Sequence, residues 1–310
     1  MPSPAPIAAI VGPTGSGKTE LALALAGRLP IEILVADSRQ VYRGMEIGTA
    51  KPDSAARAAA PHHLLDLVAP GEPFSVADWA AAARRTIPEV VARGRLPLLV
   101  GGSGLYVTAL VDGYTLDGGR PDPLRRAELA ADLATAGVAA LAERLTRADP
   151  ETAGRIDLRN PRRVTRALER VEALGRGSPP GRTPWAGRLA LIGISRPRGI
   201  LHRRIDERAA WLFGHGLLDE VRTLLEAGYD PRRPPLTSHG YEEAARYLAG
   251  EWSLEEAEAV TARRTRQYAK RQVTWFRRDR RIVWIAAGEA PGDERSIVDE
   301  AERLLRALLG

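Results

Sequence analysis

The sequence predicts an α/β protein, a parallel sheet covered by helices and interrupted by a helical insertion. Three observations carry that prediction. Short apolar runs alternate with helical segments over roughly the first third of the chain, and this alternation builds parallel strands with covering helices. From about Asp117 to Trp185 helical segments follow one another with no convincing strand. Strand character then resumes at "RLALIGISR" (Arg188–Arg196).

The elements follow in chain order. "IAAIVG" (Ile7–Gly12) is a short apolar run ending in glycine, the pattern of a buried strand. "KTELALALAGRL" (Lys18–Leu29) has helical leucine and alanine spacing, and "IEILVAD" (Ile31–Asp37) is a second strand. "SVADWAAAARRTIPEVVARG" is a helix with Ser75 as N-cap and Gly94 just past its end, in which Pro88 predicts a kink or break. "LPLLVGGSGLY" (Leu96–Tyr106) is a buried strand running into glycines, with Pro97 at its tolerant start. Beyond Arg196 come the amphipathic stretch "LHRRIDERAAWLFGHGLLDEVRTLLEAG" and the basic helix "SLEEAEAVTARRTRQYAKRQVTWF". Ser253 and Glu256 predict a capping box for the second. A last strand (Arg281–Ala287) and a closing helix end the pattern, and "GRGSPPGRTP" (Gly175–Pro184) has the composition of a linker. The predicted domains are a core of residues 1–115 and 185–310 and an insertion of residues 116–184, with glycine hinges at Gly118-Gly119 and from Gly175 to Gly181.

Composition narrows the class. Of 310 residues, 44% are hydrophobic and 27% charged, the balance of a soluble globular protein. No apolar run approaches the ~18 residues of a membrane span, and the start lacks the basic lead of a signal peptide. With no cysteine, disulfides and cysteine zinc sites are excluded, and a cytoplasmic location is expected. The net charge of +6 is unevenly placed. Arg155–Arg182 carries eight arginines against three acids, and Arg263–Arg281 nine basic residues against one acid. Two such segments suit a polyanionic partner, or are solvated helix faces.

Between the first strand and first helix, "GPTGSGKT" (Gly12–Thr19) fits G-x-x-x-x-G-K-[ST]. The expected fold is therefore a P-loop NTPase-like core. Gly12, Pro13, Thr14, Gly15, Ser16 and Gly17 would turn backbone amides toward an anion, aided by the helix dipole. Lys18 would reach phosphate oxygens, and Thr19 would bind a Mg²⁺ ion bridging them. Such a loop recognises a di- or triphosphate, not a base. Asp37 ends the second strand, where ligands bind open parallel sheets. Two roles stay open for it: a Mg²⁺ ligand, as in phosphoryl-transfer enzymes, or a base accepting a substrate proton.

Six blocks, "GPTGSGKT", "DSRQVYRGMEIGTAKP", "HHLLDLVAPGEPFSVADW", "GGSGLY", "RRVTRALE" and "RQYAKRQVTWFRRD", resemble in order the motifs of bacterial tRNA dimethylallyltransferases (tRNA isopentenyltransferases). The resemblance runs from Ile10 to about Asp279. It implies transfer of a dimethylallyl group from its diphosphate to the exocyclic amine of the tRNA adenosine just 3′ of the anticodon. It also implies that the P-loop holds the prenyl diphosphate rather than ATP, with Mg²⁺ as cofactor and Asp37 as the base. The partners implied are dimethylallyl diphosphate and the anticodon stem-loop, and a monomer is the default. Carried over as tRNA contacts are Asp37, Ser38, Arg39, Gln40, Ser103 and Arg126, and the run Arg162, Arg163, Val164, Thr165 and Arg166.

An aromatic amine is a poor nucleophile and needs a base, and a departing diphosphate needs positive charge at its bridging oxygen. Lys18, Thr19 with Mg²⁺ and the loop amides fit that need. Arg204 and Arg208, four apart on one helix face, either close on the same charge or pair with Asp206, Glu207 or a nearby acid. Asn160 and Pro161 fit the N-cap and first turn of a helix whose Val164, Leu168 and Val171 face opposes Arg162, Arg166 and Arg170. Gln40 suits a base edge, and Tyr42 or Tyr106 a stacking surface or the core. Gly15 stands where the family usually has alanine, Ser103 where it has threonine, and "RIDLRNPRR" is looser than the family pattern. In "LTSHGYEEA" a typical lysine is missing, with Glu243 near its place. His62 and His63 match paired histidines, whose simplest role is a structural hydrogen bond. The competing readings are a P-loop small-molecule or nucleoside kinase, and a non-catalytic RNA-binding protein.

Overall fold

A computed structural model describes residues 5–114, 122–174, 181–290 and 293–309. The elements in order are β1 (Ile7–Val11), α1 (Lys18–Ala26), β2 (Ile31–Val35), α2 (Ser54–Ala59), β3 (His62–His63), α3 (Val76–Ala92), β4 (Leu96–Gly101) and α4 (Gly104–Val111). Next come α5 (Pro123–Ala148), α6 (Pro150–Arg155) and α7 (Pro161–Leu174). The chain then continues with β5 (Leu189–Ser195), α8 (Arg198–Gly214), α9 (Leu217–Glu226), α10 (Tyr241–Leu248), α11 (Leu254–Phe276), β6 (Ile282–Ala286) and α12 (Asp293–Leu309). It forms two compact units: Met1–Val111 with Trp185–Gly310, and Asp112–Pro184.

The first unit is a six-stranded sheet of order β3-β2-β4-β1-β5-β6, parallel at every pairing. Its central strands are apolar on both faces and wholly buried, as a sheet covered on both sides requires. Ala8, Ile10, Ile33, Val35, Leu98 and Val100 pack one face against α1 and α12. Ala9, Val11, Leu34 and Leu99 pack the other against Trp79, Ala83 and Ile87 of α3 and Leu110 of α4. The alternation along β2 therefore decides which side chains look toward α1.

Several sequence expectations change here. The two-residue edge strand β3, in register with Ile33 and Leu34, is too short to announce itself. Pro88 does not break α3, which runs from Val76 to Ala92. Pro88 and Arg84 are exposed, so the carbonyl that loses its partner can face solvent. Ser75 and Asp78 form the full capping box, whereas at α11 the Ser253 hydroxyl alone caps, accepting the Glu256 N–H. The amphipathic stretch after Arg196 is two helices, broken where Gly216 takes φ 98°, a left-handed turn that glycine adopts without strain.

The second unit is helical. Leu129, Leu141, Leu145, Val164, Leu168 and Val171 form its core. Asn160 Oδ1 accepts the Arg163 N–H at 3.2 Å, capping α7 ahead of Pro161. Gly137 interrupts α5 with φ 77° and ψ 171°. Of the expected hinges, Gly118-Gly119 and Gly175 to Pro180 lie outside the described residues.

One buried charge ties the sheet edge to α3. Glu32 is 3% exposed. Arg93 grips it with Nε and Nη2 at 3.0 and 2.6 Å, and His63 Nε2 lies 2.7 Å away. The Arg93 hydrogen bonds hold its carboxyl down to about 2 from the ordinary 4.5, against the opposing effect of burial. A carboxyl whose folded pKa is depressed stabilises the fold above its unfolded pKa, and that contribution is lost as pH falls through the folded value. Glu32→Gln should destabilise the protein at pH 7 by about 1–3 kcal/mol. In denaturant melts the gap between wild type and variant should shrink between pH 7 and pH 3. An equal gap at both would contradict the assignment.

Candidate functional site

The loop Gly12–Thr19 joins β1 to α1 at the carboxyl edge of the sheet. A Cβ on Gly12 would stand 2.9 Å from the Ile194 carbonyl oxygen, and Gly17 caps α1 at φ 96°, so both positions call for glycine. The loop's carbonyl oxygens are claimed by cationic side chains. Pro13 O accepts Lys18 Nζ at 2.8 Å, Gly15 O accepts Arg204 Nε at 2.9 Å, and Ser16 O accepts Arg196 Nε at 2.9 Å. On the far side, the Thr14 N–H donates to Gln272 Oε1 at 2.8 Å, and Gln272 Nε2 donates to Gly102 O at 2.9 Å.

A cavity of about 490 Å³ opens at this loop. Thr14, Lys18 and Thr19 line it from the loop, Asp37 and Gln40 from the segment after β2, Arg204, Arg208 and Trp211 from α8, and Tyr268 and Gln272 from α11. Its sheet side is apolar, with Ile33, Val35 and Val100, and Ala22 of α1 adds to that lining. Burial pushes the Lys18 ammonium down to about 8, with Asp37 opposing and Arg208 adding to the shift. Burial likewise lowers the Arg208 pKa, opposed by Asp37 and Glu20. Among the described residues Arg208 has no carboxylate at ion-pair distance. Two partly buried cations with so little compensating charge form a site for an anion.

Asp37 is held by its own turn. Its Oδ1 accepts the Arg39 N–H at 2.8 Å, and the Ser38 N–H donates to Ser103 Oγ at 3.0 Å. Ser103 also bonds the Tyr268 side chain, whose pKa burial raises. Gln40 Nε2 donates to the carbonyls of Thr49 and Ala50, both at 3.0 Å, so its amide hydrogens brace the neighbouring loop and its oxygen remains for a ligand. That loop is anchored from behind. Glu220 Oε2 accepts the N–H groups of Glu46 and Ile47 at 2.8 and 2.7 Å, and its Oε1 accepts Gly48 N–H at 3.2 Å and the Tyr241 hydroxyl.

Of the residues expected at the site, the structure gathers Thr14, Gly15, Gly17, Lys18, Thr19, Asp37, Gln40, Arg204 and Arg208 round one cavity. Gly12, Pro13 and Ser16 are buried behind the loop. Asp206 and Glu207 pair with Arg266 and Arg203, whereas Arg204 does pair with a nearby acid, its Nη2 lying 3.2 Å from Glu20 Oε1. Arg126, Arg162, Arg163, Thr165 and Arg166 belong to the second unit. Arg162 and Arg163 are exposed, while Arg126 and Arg166 share Glu169 at 2.8 and 2.7 Å. Thr165 Oγ1 donates to its own helix at Pro161 O.

Val164 is a correction. Its side chain is 0% exposed in the core of the second unit, because it shares the packed face of α7 with Leu168, so it offers RNA no side-chain contact. Tyr42 and Tyr106 are likewise core residues, 8% and 7% exposed, the second stacked on Trp79 at 4.8 Å. Glu243 is fully buried, accepting Gly240 N–H at 2.7 Å and pairing with Arg264. His62 Nδ1 lies 2.8 Å from the Ala60 carbonyl.

Sequence reasoning missed Arg196, Trp211, Glu220, Tyr268 and Gln272. Tyr268 and Gln272 carried a signal: they are uncharged, four residues apart, in an otherwise strongly basic helix, which marks a buried polar stripe. Among the described residues no group of three or more His, Asp or Glu side chains makes a metal cluster. Mg²⁺ needs less, taking one or two protein oxygens with water and phosphate. The Thr19 hydroxyl and Asp37 carboxylate, both lining the cavity, fit that demand. No helix among the described residues is long and apolar enough to cross a membrane.

Known proteins match this architecture. The IPP transferase family matches residues 40–279, and a second family, isopentenyl transferase, matches residues 5–59. A tRNA dimethylallyltransferase of Moorella thermoacetica is 49% identical, over 90% of this chain and 89% of that protein. One from Solibacter usitatus is 42% identical, over 97% and 99%. The crystal structure of the full-length tRNA isopentenylpyrophosphate transferase of Bacillus halodurans superposes with a TM-score of 0.73 at 40% identity, covering 98% of this chain and 96% of that one. The P-loop NTPase-like sheet, the cavity at its carboxyl edge and similarity along nearly the whole chain lead to one conclusion: this protein belongs to the IPP transferase family, that of the tRNA dimethylallyltransferases.

Proposed function

We propose that this protein prenylates tRNA, moving a dimethylallyl group from dimethylallyl diphosphate to the exocyclic amine of the adenosine immediately 3′ of the anticodon. Family membership supports the tRNA and the prenyl group. The observation that carries the chemistry is the single cavity bounded by the phosphate loop, the partly buried cations Lys18 and Arg208, and Asp37. An apolar wall of Ile33, Val35 and Val100 beside an anion site suits a prenyl diphosphate.

The loop amides, Lys18 and Arg208 hold the diphosphate and stabilise the negative charge that grows as it leaves. Arg204 acts one step back, fixing the Gly15 carbonyl so that the loop keeps its curvature. Mg²⁺ held by Thr19, with Asp37 close by, would supply further charge to the departing diphosphate. Asp37 takes the amine proton; the Arg39 N–H occupies one of its oxygens and leaves the other for the substrate. Gln40 lines the cavity where the nucleotide would enter, with Ser38, Arg39 and Ser103 beside it in the turn that holds Asp37, and an unpaired loop base suits such a pocket. The exposed Arg162 and Arg163, with Arg126 and Arg166, supply phosphate contacts from the second unit.

Incubation with unmodified tRNA, Mg²⁺ and either dimethylallyl diphosphate or ATP, followed by nucleoside mass spectrometry, tests the reading. Prenylated adenosine should appear with the prenyl donor only. Phosphorylation of a small acceptor would establish the kinase instead. Asp37→Asn should lower turnover by about 100-fold or more while leaving donor affinity within a few-fold. Loss of Mg²⁺-dependent donor binding would show that Asp37 is chiefly a metal ligand.

Lys18 gives donor binding a pH dependence. Its ammonium loses a proton near pH 8, and a bound diphosphate holds that proton on. Affinity should be flat below about 8 and fall by up to about tenfold per pH unit above it, with proton uptake in calorimetry. A flat profile from pH 7 to 9.5 would contradict Lys18 as the phosphate ligand. Arg162→Ala should weaken tRNA binding and lower the slope of log affinity against log salt by about 1. An unchanged slope would remove α7 from the interface.

A further inference from the structure

Trp211 is the feature of the cavity that neither the phosphate chemistry nor Asp37 explains. It is 50% exposed, one of the few large apolar side chains left so open, yet it lines the same cavity as Lys18 and Asp37. Its ring is fixed from one side. His215 stacks on it with centroids 4.6 Å apart and planes 12° apart, and His215 Nδ1 lies 2.8 Å from the Trp211 carbonyl. Among the described residues no second ring stacks on the indole.

The course of α8 says which part of the ligand would meet it. The helix begins over the phosphate loop: a Cβ on Gly15 would meet Ile205 at 3.3 Å and Leu201 at 3.5 Å, and Arg204 bonds the Gly15 carbonyl. It ends beside the loop after Asp37, where a Cβ on Gly216 would stand 2.8 Å from Ile47 Cδ1. Arg204, Arg208 and Trp211 follow one another at i, i+4 and i+7 on the face that lines the cavity. At 1.5 Å per residue, Trp211 lies about 4.5 Å beyond Arg208 and about 10.5 Å beyond Arg204 along the axis. A diphosphate seated at the loop puts its bridging oxygen near Arg208 and the attached carbon chain one turn further on. The same cavity has apolar lining from Ile33, Val35, Ala50 and Pro52.

We propose that Trp211 forms the allyl subsite, packing its indole face against the dimethylallyl group and setting which prenyl donor is accepted; this rests on the donor reading above. The chemistry gives the ring a second task. In the transfer, the C1–O bond breaks with its electron pair passing to the diphosphate oxygen. The amine lone pair forms the C1–N bond, and the amine proton passes to Asp37. Positive charge spreads over the allyl carbons between these events, in a cavity that Lys18 and Arg208 also line. An indole face offers that charge a cation–π partner that brings no opposing charge of its own.

The test compares wild type, Trp211→Leu and Trp211→Phe in the full chain. Trp211→Leu should raise KM for dimethylallyl diphosphate about tenfold and lower kcat about tenfold, with Trp211→Phe recovering most of both losses. The Kd of inorganic diphosphate with Mg²⁺, by calorimetry, should stay within about twofold, as should KM for tRNA. The preference for dimethylallyl over geranyl diphosphate should fall in Trp211→Leu as the subsite loses its wall. Three results would overturn the proposal: donor constants unchanged, equal weakening of inorganic diphosphate, or a rise confined to KM for tRNA, which would make Trp211 a platform for a base. If wild type itself transfers no prenyl group, the donor reading fails. If wild type is active and Trp211→Leu matches it, the subsite alone fails.

Discussion

The carbonyl oxygens of the phosphate loop and the cations that hold them underlie the rest of the site. A peptide unit cannot turn its N–H inward without turning its C=O outward, and a loop of such units exposes a row of partial negative charges behind the anion site. Lys18, Arg196 and Arg204 meet three of these oxygens. They come from α1, from the end of β5 and from α8, elements separated by most of the sequence. The loop's curvature is therefore enforced by tertiary structure and not by its glycines alone. The positive charges serve twice, because each also raises the potential that a diphosphate meets. The cost is visible in the depressed pKa values of Lys18 and Arg196, both dominated by burial.

Gln272 does for the opposite rim what the cations do for the carbonyls. Its carboxamide takes the Thr14 N–H and returns a bond to Gly102, tying the phosphate loop to the glycine turn after β4. Tyr268, one turn earlier, reaches Ser103, which in turn accepts the Ser38 N–H next to Asp37. One face of α11 thus ties the phosphate loop to the turn that carries Asp37. Gly102 has no room for a side chain here, since a Cβ would fall 2.1 Å from Gln272 Nε2.

What was legible in the sequence divides along physical lines. Apolar runs buried on both sides are long enough to read, so five strands and the insertion were visible. The edge strand His62–His63 has only two residues, and pairing rather than pattern makes it. The loop, Asp37 and the arginines of α8 were visible because their chemistry depends on residue type and local spacing. Gln272 and Glu220 were not, because their roles come from partners 258 and 174 residues away. Val164 shows the opposite error. It was carried over inside a contiguous run, although its helical spacing with Leu168 and Val171 had already placed it on the face opposite Arg162 and Arg166, the face that is buried.

The carboxylate of Glu220 has one more consequence. It occupies three successive backbone N–H groups of the segment after Asp37, the arrangement with which proteins bind phosphate. The molecule therefore holds two anion receptors a short way apart, one left open for its substrate and one filled from within. An internal counterfeit anion cannot diffuse away, and it repels a second. Selectivity for where an anion binds is set as much by the receptor already occupied as by the one kept free.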